Sequence, residues 1–305
     1  MGMLTLVKYQ GLGNDFLIAL DAHALDDAAR VVSQSSDSPV TDPLGDLARA
    51  LCDRHAGPGA DGLLVMRTAG ANAAVGMELR NADGSRAETS GNGLRCFALA
   101  AIDAGVVAGP EVIVETDVGG CRAVVRERTG PGSAEVSVEM GTVRVLHAEP
   151  VADAALPGSR ALPWPAWSVE VGNPHLVLFA PTLEGIALSA IGPQLEKRRP
   201  GGQNVELATY DPAVGEVSLL VWERGAGLTL ACGSGSVAAA AALHSAGISP
   251  AIVKVHNPGG TAVVSLSGDD PLLTVAELAG AVHRVAAVEV DPAELAESAK
   301  VVAAS

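Results

Sequence analysis

The feature that most constrains this chain is an internal repeat of two glycine-rich segments. Residues 90–105 read SGNGLRCFALAAIDAG and residues 232–247 read CGSGSVAAAAALHSAG, so a shift of 142 residues aligns their glycines and apolar positions. A β-rich run with a Gly-Gly pair follows each segment, and GNDFLIAL (13–20) precedes the first as GNPHLVLF (172–179) precedes the second. The shared order indicates one duplication and two pseudo-symmetric domains, whereas a solenoid needs three repeats or more.

Each repeat has a local structure that its residues predict. A glycine-rich turn leads into a run of small and apolar residues, which ends at Gly105 or Gly247, where a C-cap glycine belongs. Ser90 and Cys232 therefore lie at or just before helix N-termini. The surrounding runs, such as LTLVKY, EVIVE and EVSLLVW, are short and rich in β-branched residues, which is typical of strands.

These elements predict an α/β chain of the α+β type, with two pseudo-symmetric domains. Each half is expected to be a mostly antiparallel sheet wrapped around its central helix, and the active site is expected in the cleft between the halves. The predicted first domain covers residues 1–133 together with the C-terminal segment 278–305, which returns to it. The predicted second domain covers residues 134–277. We also predict a mobile loop at 31–43, a surface connection at 156–165 and a helix after Pro292.

Composition excludes several classes of function. The formal net charge of −15 offers no basic patch to displace phosphate counterions, so nucleic acid is not an expected partner. No stretch reaches the apolar length of a membrane span, and the start resembles no secretion signal. The four cysteines show neither CxxC pairing nor metal-ligand spacing, which favours a reduced, cytoplasmic protein without a metal. The sequence is compatible with a homodimer.

The repeat suggests the inversion of a stereocentre by proton transfer. Such a reaction needs one group on each face of the carbon, and a pseudo-two-fold axis places equivalent residues, here Ser90 and Cys232, on opposite faces. Helix N-termini bind anions such as an α-carboxylate, and they lower the pKa of a thiol. No G-x-S-x-G, H-E-x-x-H or Walker A pattern competes, and no lysine lies in a pyridoxal-phosphate context. We therefore expect catalysis without a cofactor.

The chain resembles the diaminopimelate epimerases over nearly its whole length. The resemblance rests on KYQGLGNDF (8–16), LCDRHAGPGADGLL (51–64), RNADGSRAETSGNGLRC (80–96), VGNPHLVLF (171–179), GGQNVE (201–206), WERGAGLTLACGSGS (222–236) and NPGG (257–260). The family interconverts LL- and meso-diaminopimelate with two cysteines and no cofactor, on the lysine and cell-wall pathway. Its C-terminal strand returns to the first domain.

The resemblance implies a role for each matching residue. Cys232 is implied to be one catalytic acid/base, with Ser90 in the place of the other and His175 beside the pair. Glu223 is implied to take the reacting ammonium. The distal L-centre of the substrate would be held by Asn14, Asn81, Asn173, Asn204 and Arg224, and the reacting carboxylate by Gly91, Asn92, Gly233 and Ser234. The repeat is broken here, because the counterpart of Glu223 is Asn81.

Three positions depart from the family pattern. Ser90 replaces the first catalytic cysteine, Leu228 replaces a usual glutamate and Gln10 replaces a common histidine. The serine matters most, because a hydroxyl is a far weaker acid than a thiol with a pKa of about 8.5. Either the enzyme has diverged at this position or the serine is an introduced variant.

Two alternative functions remain open at this stage. One is a related proline or hydroxyproline epimerase, although Asn204 and Arg224 argue for a substrate with a second amino-acid centre. The other is a non-catalytic amino-acid-binding homologue that kept the cleft after losing one cysteine. The remaining cysteines, Cys52, Cys96 and Cys121, are expected in the core.

Overall fold

The computed structural model describes residues 2–34, 42–71, 73–87, 90–146 and 164–303, with the side chains of 300–303 left aside. The chain forms two compact units, residues 1–136 with 282–305, and residues 137–281. In chain order, the elements of the first half are β1 (Leu4–Gly11), β2 (Asn14–Ala19), α1 (Ala22–Gln34), α2 (Pro43–Cys52), β3 (Gly62–Arg67), β4 (Val75–Asn81), β5 (Arg86–Ala87), α3 (Gly91–Asp103), β6 (Glu111–Thr116), β7 (Gly119–Gly130) and β8 (Ser133–Val145), the strand in which the chain passes to the second unit.

The second half repeats this order with one helix where the first half has α1 and α2. Its elements are β9 (Ala166–Glu170), β10 (Pro174–Phe179), α4 (Leu188–Glu196), β11 (Asn204–Asp211), β12 (Glu216–Glu223), β13 (Gly227–Thr229), α5 (Gly233–Ser245), β14 (Ile252–Asn257), β15 (Gly260–Asp270), β16 (Leu273–Val290) and α6 (Pro292–Ala303). Residues after Val282 return to the first unit, where β16 pairs antiparallel with β1.

The strand pairing is duplicated in the two units, down to the register of individual residues. In both units a parallel pair, β2 with β3 and β10 with β11, adjoins an antiparallel pair, β3 with β4 and β11 with β12. The registers agree under the 142-residue shift, since Leu63 pairs with Arg80 and Val205 pairs with Trp222. Most of the other pairs are antiparallel, which confirms the predicted fold class.

The central helix of each unit packs against the sheet of its own unit. Helix α3 contacts β1, β2, β6 and β7, while α5 contacts β9, β10, β11, β12, β14 and β15. Residues 91–101 of α3 and residues 235–243 of α5 are all buried. Aromatic residues make up only 3% of the chain, so alanines, leucines and glycines fill these helix–sheet interfaces.

The strands beside each central helix are buried on both faces. In β2, Leu17 and Ala19 join an apolar cluster with residues of α1 and α2, while the ring of Phe16 lies toward Gly93 of α3. In β11, Val205 and Leu207 join the cluster that packs on α4, and the alternate residue Glu206 lies toward α5. This alternation decides which side chains reach the helix start in each unit.

The prediction of a loop over residues 31–43 is wrong at both ends of that range, where the structure has helices. Helix α1 continues to Gln34 because Leu25, Ala28, Ala29 and Val32 form a buried face at helical spacing. Helix α2 begins at Pro43, and the carboxylate of Asp42 accepts a hydrogen bond from the backbone N–H of Gly45 at 3.1 Å. Residues 35–41 lie outside the described residues, as does most of the predicted connection at 156–165. The predicted C-terminal helix is confirmed as α6.

None of the helices in the described part of the chain has the length and apolar character of a membrane-spanning segment.

Candidate active site

The first glycine-rich turn places Ser90 at the N-cap of α3. Its backbone is extended, and its Oγ accepts a hydrogen bond from the N–H of Gly93 at 3.1 Å. A methyl group on Gly93 would lie 3.2 Å from Cβ of Ser90 and 3.4 Å from the ring of Phe16, so this position favours glycine. The half-buried hydroxyl of Ser90 lies beside the free N–H groups of the first helical turn.

A chain of polar side chains extends behind this turn. The side chain of Asn92 is buried and donates through Nδ2 to Oδ1 of Asn14 at 3.5 Å. Its Oδ1 accepts from Nη2 of Arg95 at 2.8 Å. Arg95 is fully buried, and its Nε and Nη1 have no hydrogen-bond partner among the described residues. Burial lowers the pKa of this guanidinium, because a charge without full hydrogen bonding is costly in the protein interior.

Asn14 is also held from its other side by a network of charges. Its Nδ2 donates to Asp61 at 2.7 Å, and Arg54 bridges Asp61 and Asp15. Burial opposes ionisation of Asp15, but hydrogen bonds from Arg54 and Lys8 prevail and lower its pKa to about 2. The carboxylate of Asp15 is therefore ionised at neutral pH, and the hydrogen bond to Asp61 holds the amide of Asn14 in one orientation.

Two further sequence positions of the first unit make local hydrogen bonds. Asn81 ends β4, is exposed, and donates to Oγ of Ser85 at 3.0 Å. Gln10, at the position of a common family histidine, accepts from the backbone N–H of Gly13 at 2.9 Å and so shapes the turn before Asn14.

The second glycine-rich turn repeats this geometry with a thiol. Cys232 is the N-cap of α5, with an extended backbone, and its Sγ accepts from the N–H of Gly235 at 3.3 Å. The hydroxyl of Ser234 lies 3.5 Å from the same sulfur. Cys232 is only 5% exposed, and Gly233 is buried at the first helical position. The two turns therefore place Ser90 and Cys232 in equivalent local positions.

The surroundings of Cys232 are acidic. Glu223 ends β12, and its carboxylate accepts from Oγ1 of Thr229 at 2.5 Å. Burial raises the pKa of Glu223, while its hydrogen bonds from Thr229 and Cys232 act in the opposite direction. Burial, followed by the charges of Glu223 and Glu206, raises the pKa of the Cys232 thiol well above its ordinary value. The expected lowering by the helix N-terminus is present in the Ser234 and Gly235 contacts but is outweighed.

A buried histidine–carboxylate pair lies in the same unit. Both His175, in β10, and Glu206, in β11, are 0% exposed, and Nδ1 of His175 lies 2.7 Å from Oε1 of Glu206. The other ring nitrogen, Nε2, lies 2.8 Å from Oδ1 of Asn173. Glu206 was not assigned a role from the sequence. Its alternation with Val205 and Leu207, which are both apolar, is the signal that could have revealed an ionisable side chain facing the helix.

Asn204 and Arg224 meet at the same edge of the sheet. Oδ1 of Asn204 accepts from the backbone N–H of Arg224 at 2.8 Å, and Asn204 is the register partner of His175. The guanidinium of Arg224 is exposed and donates from Nη1 to the carbonyl of Gly201 at 3.4 Å. Leu228, at the family's glutamate position, is 50% exposed on β13 and offers no carboxylate.

Contacts join most of the sequence candidates within each unit. In the first unit they join Asn14 to Asn92, which follows Ser90 and Gly91 at the start of α3, whereas the side chain of Asn81 is hydrogen-bonded to Ser85. In the second unit they connect Asn173, His175, Asn204, Glu223, Arg224, Cys232, Gly233 and Ser234. Cys52 and Cys96 are buried as expected, with a pKa raised by burial to about 12 in each. Cys121 is the third residue of β7 and is only half-buried, so its predicted place in the core is wrong.

Comparison with known proteins identifies matches over most of the chain. The family model for diaminopimelate epimerase matches residues 6–146 and 167–285. The chain is 35% identical over 277 residues to a diaminopimelate epimerase of Desulfitobacterium hafniense, covering 88% of this chain and 92% of that one. It is 36% identical over 287 residues to a diaminopimelate epimerase of Mycobacterium bovis, covering 87% and 91%.

Solved structures of lower sequence identity share the fold. A hydroxyproline epimerase from Agrobacterium vitis is 18% identical with a TM-score of 0.71, covering 95% of this chain and 91% of that one. A probable proline racemase from Agrobacterium radiobacter is 17% identical with a TM-score of 0.69, covering 94% and 92%. At these identities the likeness concerns the architecture alone.

Proposed function

Since the chain belongs to the diaminopimelate epimerase family, we propose that it converts LL-diaminopimelate to meso-diaminopimelate by proton transfer at the α-carbon. Family membership makes it an isomerase that works without pyridoxal phosphate, in lysine biosynthesis. Cys232 acts as one acid/base, and Ser90 occupies the position of the other. The proposal includes a cytoplasmic location, in keeping with four free thiols.

One observation carries the mechanism. Ser90 and Cys232 are both N-caps of thirteen-residue helices that begin at positions related by the repeat. The free N–H groups of each first turn can bind the reacting carboxylate, and they stabilise the negative charge that develops when the α-carbon loses its proton. The proposal requires the two caps to flank one α-carbon across the predicted cleft.

The remaining residues form two sets, which bind the two ends of the substrate. Asn14, Asn81, Asn173, Asn204 and Arg224 hold the distal L-centre, for which the exposed guanidinium of Arg224 supplies a bidentate partner to a carboxylate. Gly91, Asn92, Gly233 and Ser234 donate to the reacting carboxylate. Glu223 binds the reacting ammonium, because its partly buried carboxylate lies beside Cys232.

Substrate binding also prepares the thiol for its reaction. The charge of Glu223 contributes to the raised pKa of Cys232 in the free protein. An ammonium group bound to that carboxylate offsets the charge, so the pKa of the thiol falls when substrate is present. The thiolate can then remove the α-proton and return a proton to the same face. His175 supports this half of the site through its contact with Glu206.

Ser90 makes the two faces unequal. Its hydroxyl accepts from Gly93, and no basic side chain among the described residues of its own unit is hydrogen-bonded to it. An alcohol in this setting is a poor base, so removal of a proton from its face is slow. We therefore propose that exchange through Cys232 is faster than complete inversion.

The test compares substrates in D₂O. The protein is incubated separately with diaminopimelate and with proline or hydroxyproline, and loss of each α-proton signal is followed by NMR. The proposal expects exchange on diaminopimelate alone. Exchange on proline would favour the related proline-type epimerase, and binding of diaminopimelate without any exchange would favour a non-catalytic binding protein.

A further inference from the structure

The side chains of His175 and Glu206 form a buried ionisable pair that faces α5. Nδ1 of His175 lies 2.7 Å from Oε1 of Glu206. The second oxygen, Oε2, has no hydrogen-bond partner among the described residues, although it is inaccessible to solvent. A charge in the protein interior is screened less than one in water, and the charge of Glu206 contributes to the raised pKa of the Cys232 thiol.

The equivalent positions of the first unit hold no ionisable group. The register of the parallel strands aligns Phe16 and Gly62 with His175 and Asn204, so Leu64 is the counterpart of Glu206. Phe16 and Leu64 are both buried and apolar. The same two sites behind a helix start therefore hold a hydrocarbon pair in one unit and an imidazole–carboxylate pair in the other.

Glu206 lies against the same glycine as the thiol of Cys232. A methyl group on Gly235 would lie 2.8 Å from Oε1 of Glu206 and 3.3 Å from Sγ of Cys232. Glu206 contacts the helix start from β11, Glu223 lies beside the thiol from β12, and His175 lies behind from β10. Ser234 and the N–H of Gly235 are the donors to the sulfur from α5 itself.

We propose that Glu206 is a positioning residue that keeps Cys232 in its thiol form in the free protein. Cys232 therefore rests as a thiol in the free protein. When the substrate ammonium binds Glu223, the thiol releases its proton to water, and the thiolate takes up the α-proton as the Cα–H bond breaks and its electron pair stays on the α-carbon. The inference rests on the proposed function, in which Cys232 is an acid/base. His175 fixes the orientation of Glu206 through its 2.7 Å contact with Oε1.

The test measures thiolate formation at Cys232 directly. Iodoacetamide alkylates the free protein over a range of pH, the thiolate displacing iodide, and peptide mass spectrometry separates Cys232 from the other cysteines. Glu206→Gln removes the charge with little change in shape. We expect the alkylation midpoint of Cys232 to fall by about one pH unit, so that alkylation below the midpoint becomes about tenfold faster.

Two matched variants separate charge from packing. Glu206→Asp keeps the charge but shortens the side chain, so its midpoint should stay closer to the wild-type value than that of Glu206→Gln. Glu216→Gln removes a half-buried carboxylate of the same unit that pairs with His256 and Lys254, and should leave the Cys232 profile unchanged. A midpoint that does not fall in Glu206→Gln, or that falls as far in Glu206→Asp, overturns the proposal.

A second route covers a failure of Glu206→Gln to fold, which a thermal melt detects. His175→Gln leaves the carboxylate in place, so the midpoint should stay at or above the wild-type value, and a fall would contradict the proposal. None of these measurements uses diaminopimelate. Failure of the proposed function, seen as absent α-proton exchange in D₂O, is therefore distinguishable from failure of this inference.

Discussion

The turns at Ser90 and Cys232 have the same backbone geometry but opposite electrostatic surroundings. Each residue caps a central helix and accepts a hydrogen bond from the glycine N–H three residues on. Behind the Ser90 turn lies the buried guanidinium of Arg95, whereas the carboxylates of Glu223 and Glu206 lie beside Cys232. A duplicated scaffold can therefore hold two acid/base residues in equivalent positions while the residues around them set different proton affinities.

Removing the thiol should have the largest effect. Cys232→Ala is expected to slow α-proton exchange by about 10³-fold or more, since a positioned acid/base contributes 10²- to 10⁴-fold and Ser90 is a poor substitute. Substrate affinity should change little, because binding rests on other side chains. Exchange is followed by NMR in D₂O and binding by calorimetry, with the half-buried Cys121→Ala as the control. Near-normal exchange in Cys232→Ala would remove this thiol from the mechanism.

Restoring a thiol to the other turn should have the next largest effect. Ser90→Cys is expected to raise the rate of epimerisation by about 10²-fold, because a thiol is a far stronger acid than a hydroxyl and the helix N-terminus acts to lower its pKa further. The rate is measured by the appearance of the inverted isomer. Ser90→Ala is the control and should resemble the wild type, and a strong loss of activity in it would show that the hydroxyl is a competent base.

Neutralising the carboxylate beside Cys232 should have a moderate effect. Glu223→Gln is expected to raise KM by about tenfold, since a hydrogen bond to a charged group is worth roughly 1.5–3 kcal/mol. The alkylation midpoint of Cys232 should also fall, because the charge of Glu223 raises the pKa of the thiol. Steady-state kinetics and alkylation profiles measure the two effects. An unchanged KM would mean that the reacting ammonium is bound elsewhere.

Removing the buried charge behind the Ser90 turn should have the smallest effect on stability. Arg95→Met loses one hydrogen bond to Asn92 but also removes two buried donors without partners among the described residues. These contributions oppose each other, so we expect the free energy of unfolding to change by no more than about 1 kcal/mol. Denaturant titration measures it, with the more exposed Arg128→Met as the control. A loss of several kcal/mol would show that the guanidinium stabilises the core.

The repeat and the strand patterns were sufficient to predict the fold class. The helix starts at Ser90 and Cys232 could be located because glycine spacing and cap residues are local signals. Helix α1 was missed because the amphipathic spacing of its buried residues was not weighed against the polar segment that follows it. The two N-cap positions were predicted, but the raised pKa of Cys232 was not, because it depends on side chains brought together from separate strands.

The burial of Arg95 and Glu206 is a second property that the sequence alone does not reveal. Both lie inside motifs that carry the family resemblance, but nothing in a linear pattern states that a charged residue is fully buried. Their burial follows from the packing of α3 and α5 on their sheets. Their counterparts under the 142-residue shift, Val237 and Leu64, are apolar and buried, and the burial of all four side chains becomes evident only in the folded chain.

The inequality of the two turns is tested most directly by α-proton exchange on the separate substrate isomers. LL- and meso-diaminopimelate are each incubated with the unmodified protein in D₂O, and loss of the α-proton and appearance of the other isomer are followed by NMR at several pH values. The account predicts that one isomer exchanges with little inversion, faster as pH rises because the pKa of Cys232 is raised, while the other is nearly inert. Equal and rapid exchange of both isomers would contradict it.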